Sequence, residues 1–196
     1  MTDFNIEEVV PFDQTTIQIQ DGDASLTLDY ANARNFHEGD SWWGVAVGFR
    51  AMQAAAPLLS EEKLWRRDAL TVVSAHPGPG VRDAIDFVTG AVQQNRYHLT
   101  PEQQGRKTCG RDMKFQWWVS DGAATTIIKL HADFVPEEFF ELLDKILQDS
   151  NDDDDRQKFD ALKLELETKI WQHSLGAVFH AERLPLELEK VIEHNL

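Results

Sequence analysis

The chain has 196 residues, 42% of them hydrophobic and 10% aromatic, which is enough for one packed domain with an extension and argues against disorder. Its 34 acidic and 19 basic residues leave a formal net charge of −15, which opposes binding to phosphate backbones and to anionic membrane surfaces. No apolar run approaches the ~20 residues needed to span a bilayer, and a single cysteine, Cys109, rules out an intrachain disulfide.

The first residues, MTDFNIEEVV, are acidic and lack the basic and apolar regions of a signal peptide, so a cytoplasmic protein is expected. TTIQIQDGDASLTLDY alternates apolar and polar residues, predicting strands at 15–20 and 24–29 joined at Asp21-Gly22-Asp23. In NFHEGDSWW the residues His37, Glu38 and Asp40 precede two adjacent tryptophans, Trp42 and Trp43. That composition suits a small polar site from which aromatic side chains exclude water. VAVGFRAMQAAAPLL reads as an Ala-rich helix that Gly44 and Gly48 allow to pack closely, ending near Pro57.

DALTVVSA, residues 68–75, predicts a buried strand, followed by the turn HPGPG. VRDAIDFVTGAV, residues 81–92, places Val81, Ala84, Ile85, Val88 and Val92 on one helical stripe. Arg106, Lys107, Arg111 and Lys114 then concentrate positive charge. MKFQWWVSDGAATTIIKLHAD predicts a hairpin of strands at about 113–119 and 124–131, turning at Asp121-Gly122, with Trp117 and Trp118 on opposite faces.

From Pro136 the composition turns helical: PEEFFELLDKILQ with Pro at its first position, an acidic loop at NDDDD, a long amphipathic helix in RQKFDALKLELETKIWQHSL, and a third helix in PLELEKVIEH. The expected fold class is α+β. A mixed β-sheet packed with helices occupies residues 1–135, and an acidic helical extension occupies 136–196.

The pattern F-H-x-G-x(3)-W-G-x(3)-G-x-R, followed by V-V-x(6)-G-x(2)-D-A-I-x(2)-V-T-G, resembles the FmdE family, which takes its name from a component of formylmethanofuran dehydrogenase. Phe36, His37, Gly44 and Gly48 match its first motif; Asp83, Ala84, Ile85, Thr89 and Gly90 match its second. GRDMKFQW resembles a third segment, with Lys114 at or near the family's lysine. The resemblance covers roughly residues 30–130. Three family cysteines are replaced, by Trp42 or a neighbour, Gly80 and Ala91; the second motif histidine falls near Asp40; and the family's C-terminal cysteine-rich zinc domain gives way to the acidic segment. The chain therefore resembles a divergent member. The resemblance implies a metal-dependent small-molecule protein in or beside one-carbon metabolism, with association to a formylmethanofuran dehydrogenase-type complex as a corollary.

A neutral imidazole is a good ligand for zinc or nickel. His37, as the match to the family histidine, is the first metal candidate, and Asp40, three positions on, the second. His76, directly after the strand 68–75, and Cys109, between Lys107 and Arg111 where positive charge would favour thiolate, complete the set. Trp42, Trp43, Asp83 and Lys114 are the candidates for contacting a bound small molecule, and the expected cofactor is a divalent transition metal. A non-catalytic accessory or protein-binding module, and a metal carrier or sensor, are the competing functions. His98, His131, His173, His180 and His194 read as structural or surface residues, and HPGPG lacks a Walker lysine.

A homodimer is also expected. Phe139, Phe140, Leu143, Ile146 and Leu147 form a wide apolar stripe, and Leu162, Leu164, Leu166, Ile170 and Trp171 cover more than one helix face.

Overall fold

The computed structural model describes residues 12–60 and 63–190. After a single 3-10 turn at Phe12–Thr15, β1 (Thr16–Asp21) and β2 (Ala24–Asp29) pair antiparallel as an isolated hairpin. Gly22 makes its turn at φ +56°, a conformation that costs glycine little. Ile17 and Ile19 are buried, as the alternation predicts.

Asp29 ends β2 and caps α1 (Tyr30–Phe36), its carboxylate accepting the Asn32 N–H at 2.8 Å. The loop 38–41 then leads into α2 (Trp42–Leu59), which is buried from Val45 to Ala55 without a break. A helix apolar on every side belongs in the core, and this one packs against helices and both sheets. Pro57 lies inside its last turn rather than beyond it. A Cβ on Gly44 would sit 3.2 Å from the Val81 backbone nitrogen, and one on Gly48 3.0 Å from the Val81 carbonyl oxygen. The two glycines thus let α2 and α3 (Pro79–Thr89) meet backbone to backbone, as expected.

The main sheet runs β4-β3-β5-β6-β7, built from β3 (Thr71–Ser74), β4 (Tyr97–Leu99), β5 (Gln116–Ser120), β6 (Thr125–Leu130) and β7 (Phe179–Leu184). Only β3 and β4, joined through α3, are parallel; the other pairs are antiparallel. The architecture is α+β, as the sequence indicates. The predicted strand 24–29 forms as expected, 15–20 shifts by one residue, and 68–75 shortens to Thr71–Ser74 because Arg67–Ala69 form a 3-10 turn. The predicted helix 81–92 stops at Thr89, where Gly90 takes φ +63°. Asp86 then accepts the N–H groups of Val92 and Gln93 at 2.9 and 3.3 Å, folding that segment back.

Trp117 and Trp118 do point to opposite faces. Trp117 joins the main core, while Trp118 packs with Val73, Ala75, Ile127 and Leu188 in a second cluster that the C-terminal segment covers.

Beyond residue 135 the chain forms α4 (Glu137–Leu147), α5 (Asp153–Gln172) and the short α6 (Leu175–Val178) before β7. Three expectations are corrected here. Pro136 is the residue before α4, not its first. The acidic run is not a loop: Asp152 caps α5 by accepting the Asp155 N–H at 2.8 Å, and Asp153, Asp154 and Asp155 form the first turn, where the helix dipole favours negative charge. Nor is the segment wholly helical, because FHAERL adds β7 to the edge of β6. Helical conformation resumes at 188–190, and the remainder of the expected third helix, like MTDFNIEEVV, lies outside the described residues. Leu166, Ile170, Trp171 and Phe179 share one core with Trp43 and Trp117. Of the two stripes expected to need a second copy of the chain, Leu147 (49%) and Leu164 (43%) remain exposed; the rest pack within the chain or lie partly covered. No described helix is long and apolar enough to cross a membrane.

Candidate functional site

His37 closes α1, and the chain reverses through residues 38–41 into α2. Asp83 lies in the first turns of α3, which α1 and α2 both contact. His37 Nδ1 stands 2.8 Å from Asp83 Oδ2. A carboxylate only accepts, so Nδ1 is the donor in this contact and Nε2 is the ring nitrogen left over for another partner. The other carboxylate oxygen, Oδ1, accepts from Arg82 Nε and Nη2 at 3.0 and 2.9 Å. Asp83 is therefore held between a cation and the imidazole, and does not cap α3.

The His37 side chain is only 5% exposed, and its Nε2 is buried without a hydrogen-bond partner among the described residues. Buried polar atoms normally find partners, which sets this one apart from most. Gly39 covers it; a Cβ there would fall 2.8 Å from Nε2, so a larger residue would displace the ring. Beside it opens a cavity of about 650 Å³ lined by Phe36, His37, Asp40, Arg82 and Asp83 among others. Asp40 is exposed at its rim. The structure thus brings together His37, Asp40 and Asp83.

His76 and Cys109 meet elsewhere. A Cβ on Gly78 would fall 2.6 Å from His76 Cε1 and 2.8 Å from Cys109 Sγ, so both side chains crowd one glycine. The His76 ring lies against Phe115 at 4.7 Å, and its Nδ1 accepts the Gly78 N–H at 3.1 Å. Burial pushes its pKa down to about 3, so the ring is neutral. The expected thiolate at Cys109 is corrected: burial pushes the thiol up to about 11. Arg111, expected to polarise it, is exposed and engages Glu137 and Asp144 instead.

The four metal candidates therefore divide into two pairs, and no cluster of three or more His, Cys, Asp or Glu able to hold a metal exists among the described residues. Trp42 is 38% exposed with the Arg34 guanidinium 4.5 Å over its ring, and Trp43 is buried against Phe134 at 6.1 Å. Neither lines the His37 cavity. Lys114 is exposed and lines a smaller cavity of about 240 Å³ with Gln103, Asp112 and Trp118.

Sequence reasoning passes over two buried polar groups. Glu167 is 2% exposed, accepts the Tyr30 hydroxyl at 2.8 Å, and has Arg34 Nε at 3.7 Å. Desolvation raises its pKa. Arg50 is buried in α2 beside a cavity of about 640 Å³. The sequence does signal Arg50: it is the only charge in an otherwise neutral helix. No protein-family model and no curated protein sequence matches the chain.

Proposed function

We propose that the chain is a divergent FmdE-like protein that binds a divalent transition metal, zinc or nickel, or a small ligand, at His37. The support is one contact. The F-H and D-A-I motifs, whose His37 and Asp83 stand 46 residues apart, meet in a 2.8 Å hydrogen bond. A carboxylate on the far nitrogen orients a histidine and raises its basicity toward whatever Nε2 meets, as behind many metal-bound imidazoles. Nε2 and the Asp40 carboxylate are the two donors proposed at this cavity, which Glu38, Asp83 and Asp86 also line. That is fewer than the three or four protein ligands of catalytic and structural zinc sites. An ion held here would be exchangeable and would keep positions open for a small molecule, which a metal carrier, a sensor or a substrate-binding centre each requires. When bound, the metal would supply Lewis acidity; the chain itself contributes the orientation of His37 and a loop, 38–41, that shields it from water.

Titration calorimetry with zinc and nickel on untagged protein tests this reading. Asp83→Asn is expected to weaken binding by ~10–100-fold, and His37→Ala to abolish it. Unchanged binding in His37→Ala would refute the assignment. The links to one-carbon metabolism and to a formylmethanofuran dehydrogenase-type complex, and the cytoplasmic location, belong to the same proposal and rest on the resemblance and on cysteine usage.

A second reading, a non-catalytic module that engages a partner through its C-terminal helices, draws support from the exposed Leu147 and Leu164 and the acidic first turn of α5. The proposed homodimer would use that same surface. Light scattering separates the two, since a monomer leaves the surface free for a different partner.

A further inference from the structure

Arg50 stands apart from the other deeply buried charges. Glu167 has Tyr30 and Arg34, and Asp86 has backbone N–H groups of Val92 and Gln93. Arg50 is 6% exposed and no carboxylate pairs with it among the described residues. A guanidinium carries five N–H donors. Its polar contacts are Nη1 to Gln53 Oε1 at 3.0 Å and Nη2 to the His173 carbonyl at 2.6 Å, while Nε is buried without a partner among the described residues. The Trp171 ring lies 5.0 Å beneath it and fixes its plane. A buried charge without a counter-ion is costly, which burial expresses by lowering the guanidinium pKa to about 10. At neutral pH it remains a cation.

The cavity beside it measures about 640 Å³, the size of a small-molecule site. Its described lining contains no Asp, Glu, Lys or second Arg. Ser60 and Ser174 contribute hydroxyls; Ser60 Oγ accepts the Trp65 N–H and keeps its own proton to donate. Ile17, Leu64 and Leu175 supply an apolar wall.

We infer that this cavity binds a small monocarboxylate, with its carboxylate on Arg50 and its apolar part against Ile17, Leu64 and Leu175. A single guanidinium balances one negative charge, and its planar fork suits a carboxylate. The net charge of −15 opposes any ligand of higher negative charge, and the apolar wall has no use for inorganic phosphate. The site is independent of His37, since the two cavities share no lining residue.

The experiment is an NMR titration of full-length protein labelled with ¹⁵N-arginine, using acetate, hexanoate and benzoate as probes and 1-hexanol and inorganic phosphate as comparators. The Arg50 side-chain resonance, assigned by its loss in Arg50→Lys, is expected to shift saturably with hexanoate or benzoate, more weakly with acetate, and not with the comparators. Arg50→Gln should abolish the accompanying rise in melting temperature, whereas His37→Ala should leave it intact. Where Arg50→Gln fails to fold, Ser174→Ala decides. Ser174 makes no side-chain capping bond at α6, so its loss should weaken the probe several-fold without harming the fold. No saturable shift with any carboxylate, or an equal shift with phosphate, overturns the inference.

Discussion

His76 offers the sharpest quantitative check. Its ring is 3% exposed, lies against Phe115 and Trp117, and accepts from the Gly78 N–H, so adding a proton would place a charge that no carboxylate among the described residues meets and would break that acceptor role. Burial lowers its pKa from 6.5 to about 3. A depressed folded pKa means that the unfolded chain binds the extra proton first, so stability is fully present above pH 6.5 and is lost as pH falls toward 3. For one such group the loss between pH 7 and pH 5 is about 2 kcal/mol, growing toward about 5 kcal/mol below pH 3. His76→Asn keeps an acceptor within reach of the Gly78 N–H but cannot titrate. Urea unfolding of both proteins at pH 7, 6 and 5 isolates the contribution. The wild type should lose about 2 kcal/mol more than the variant over that range, whatever the variant's own packing deficit. Its Cε1–H resonance should not titrate above about pH 4. Parallel pH profiles, or a resonance titrating near 6.5, would refute the reasoning.

Gly80→Ala would drive its Cβ into the Ser41 carbonyl oxygen, with the Val45 nitrogen 3.0 Å away, where the first hydrogen bond of α2 forms. The expected loss is about 1–3 kcal/mol, read by thermal unfolding; an unchanged midpoint would show that the helices do not approach this closely. Cys109, with its thiol pushed to about 11, should react with a disulfide reagent at pH 7.5 at least ~100-fold more slowly than a free cysteine, and rapidly once urea unfolds the chain. Fast reaction of the folded protein would place the thiol in solvent. Tyr30→Phe removes the 2.8 Å hydrogen bond to buried Glu167 and should cost about 1.5–3 kcal/mol. Desolvation raises the Glu167 pKa, so its ionisation works against the fold. The Tyr30→Phe penalty should therefore shrink on acidification below the folded pKa; a constant penalty from about pH 7 to about pH 4 would contradict that origin.

Local rules are sufficient where the decisive interaction lies within a few residues. Asp21-Gly22-Asp23 and Asp121-Gly122 place both hairpins because a turn needs only its own backbone conformations, here φ +56° at Gly22 and +88° at Gly122. The helix around Gly44 and Gly48 and the α+β class are legible for the same reason: periodicity and turn residues are properties of neighbours. The acidic run misleads when charge is weighed as solvation alone, because Asp152 and the aspartates after it also suit a helix start.

Tertiary structure alone decides the rest. FHAERL directly follows the short α6 and becomes β7 because the edge of β6 is free to pair with it. Cys109 has basic neighbours in sequence, yet its thiol is set by burial, since Arg111 turns away to α4. His37 and His76 both read as ligands in the sequence, but the contact with Asp83 distinguishes one, and the depth of the apolar pocket the other. Arg50 is visible in the sequence as the single charge of α2, but its lack of a carboxylate partner among the described residues is a statement about every surrounding element at once. Desolvation and long-range pairing depend on what the whole chain places around a side chain, and no window of sequence contains that.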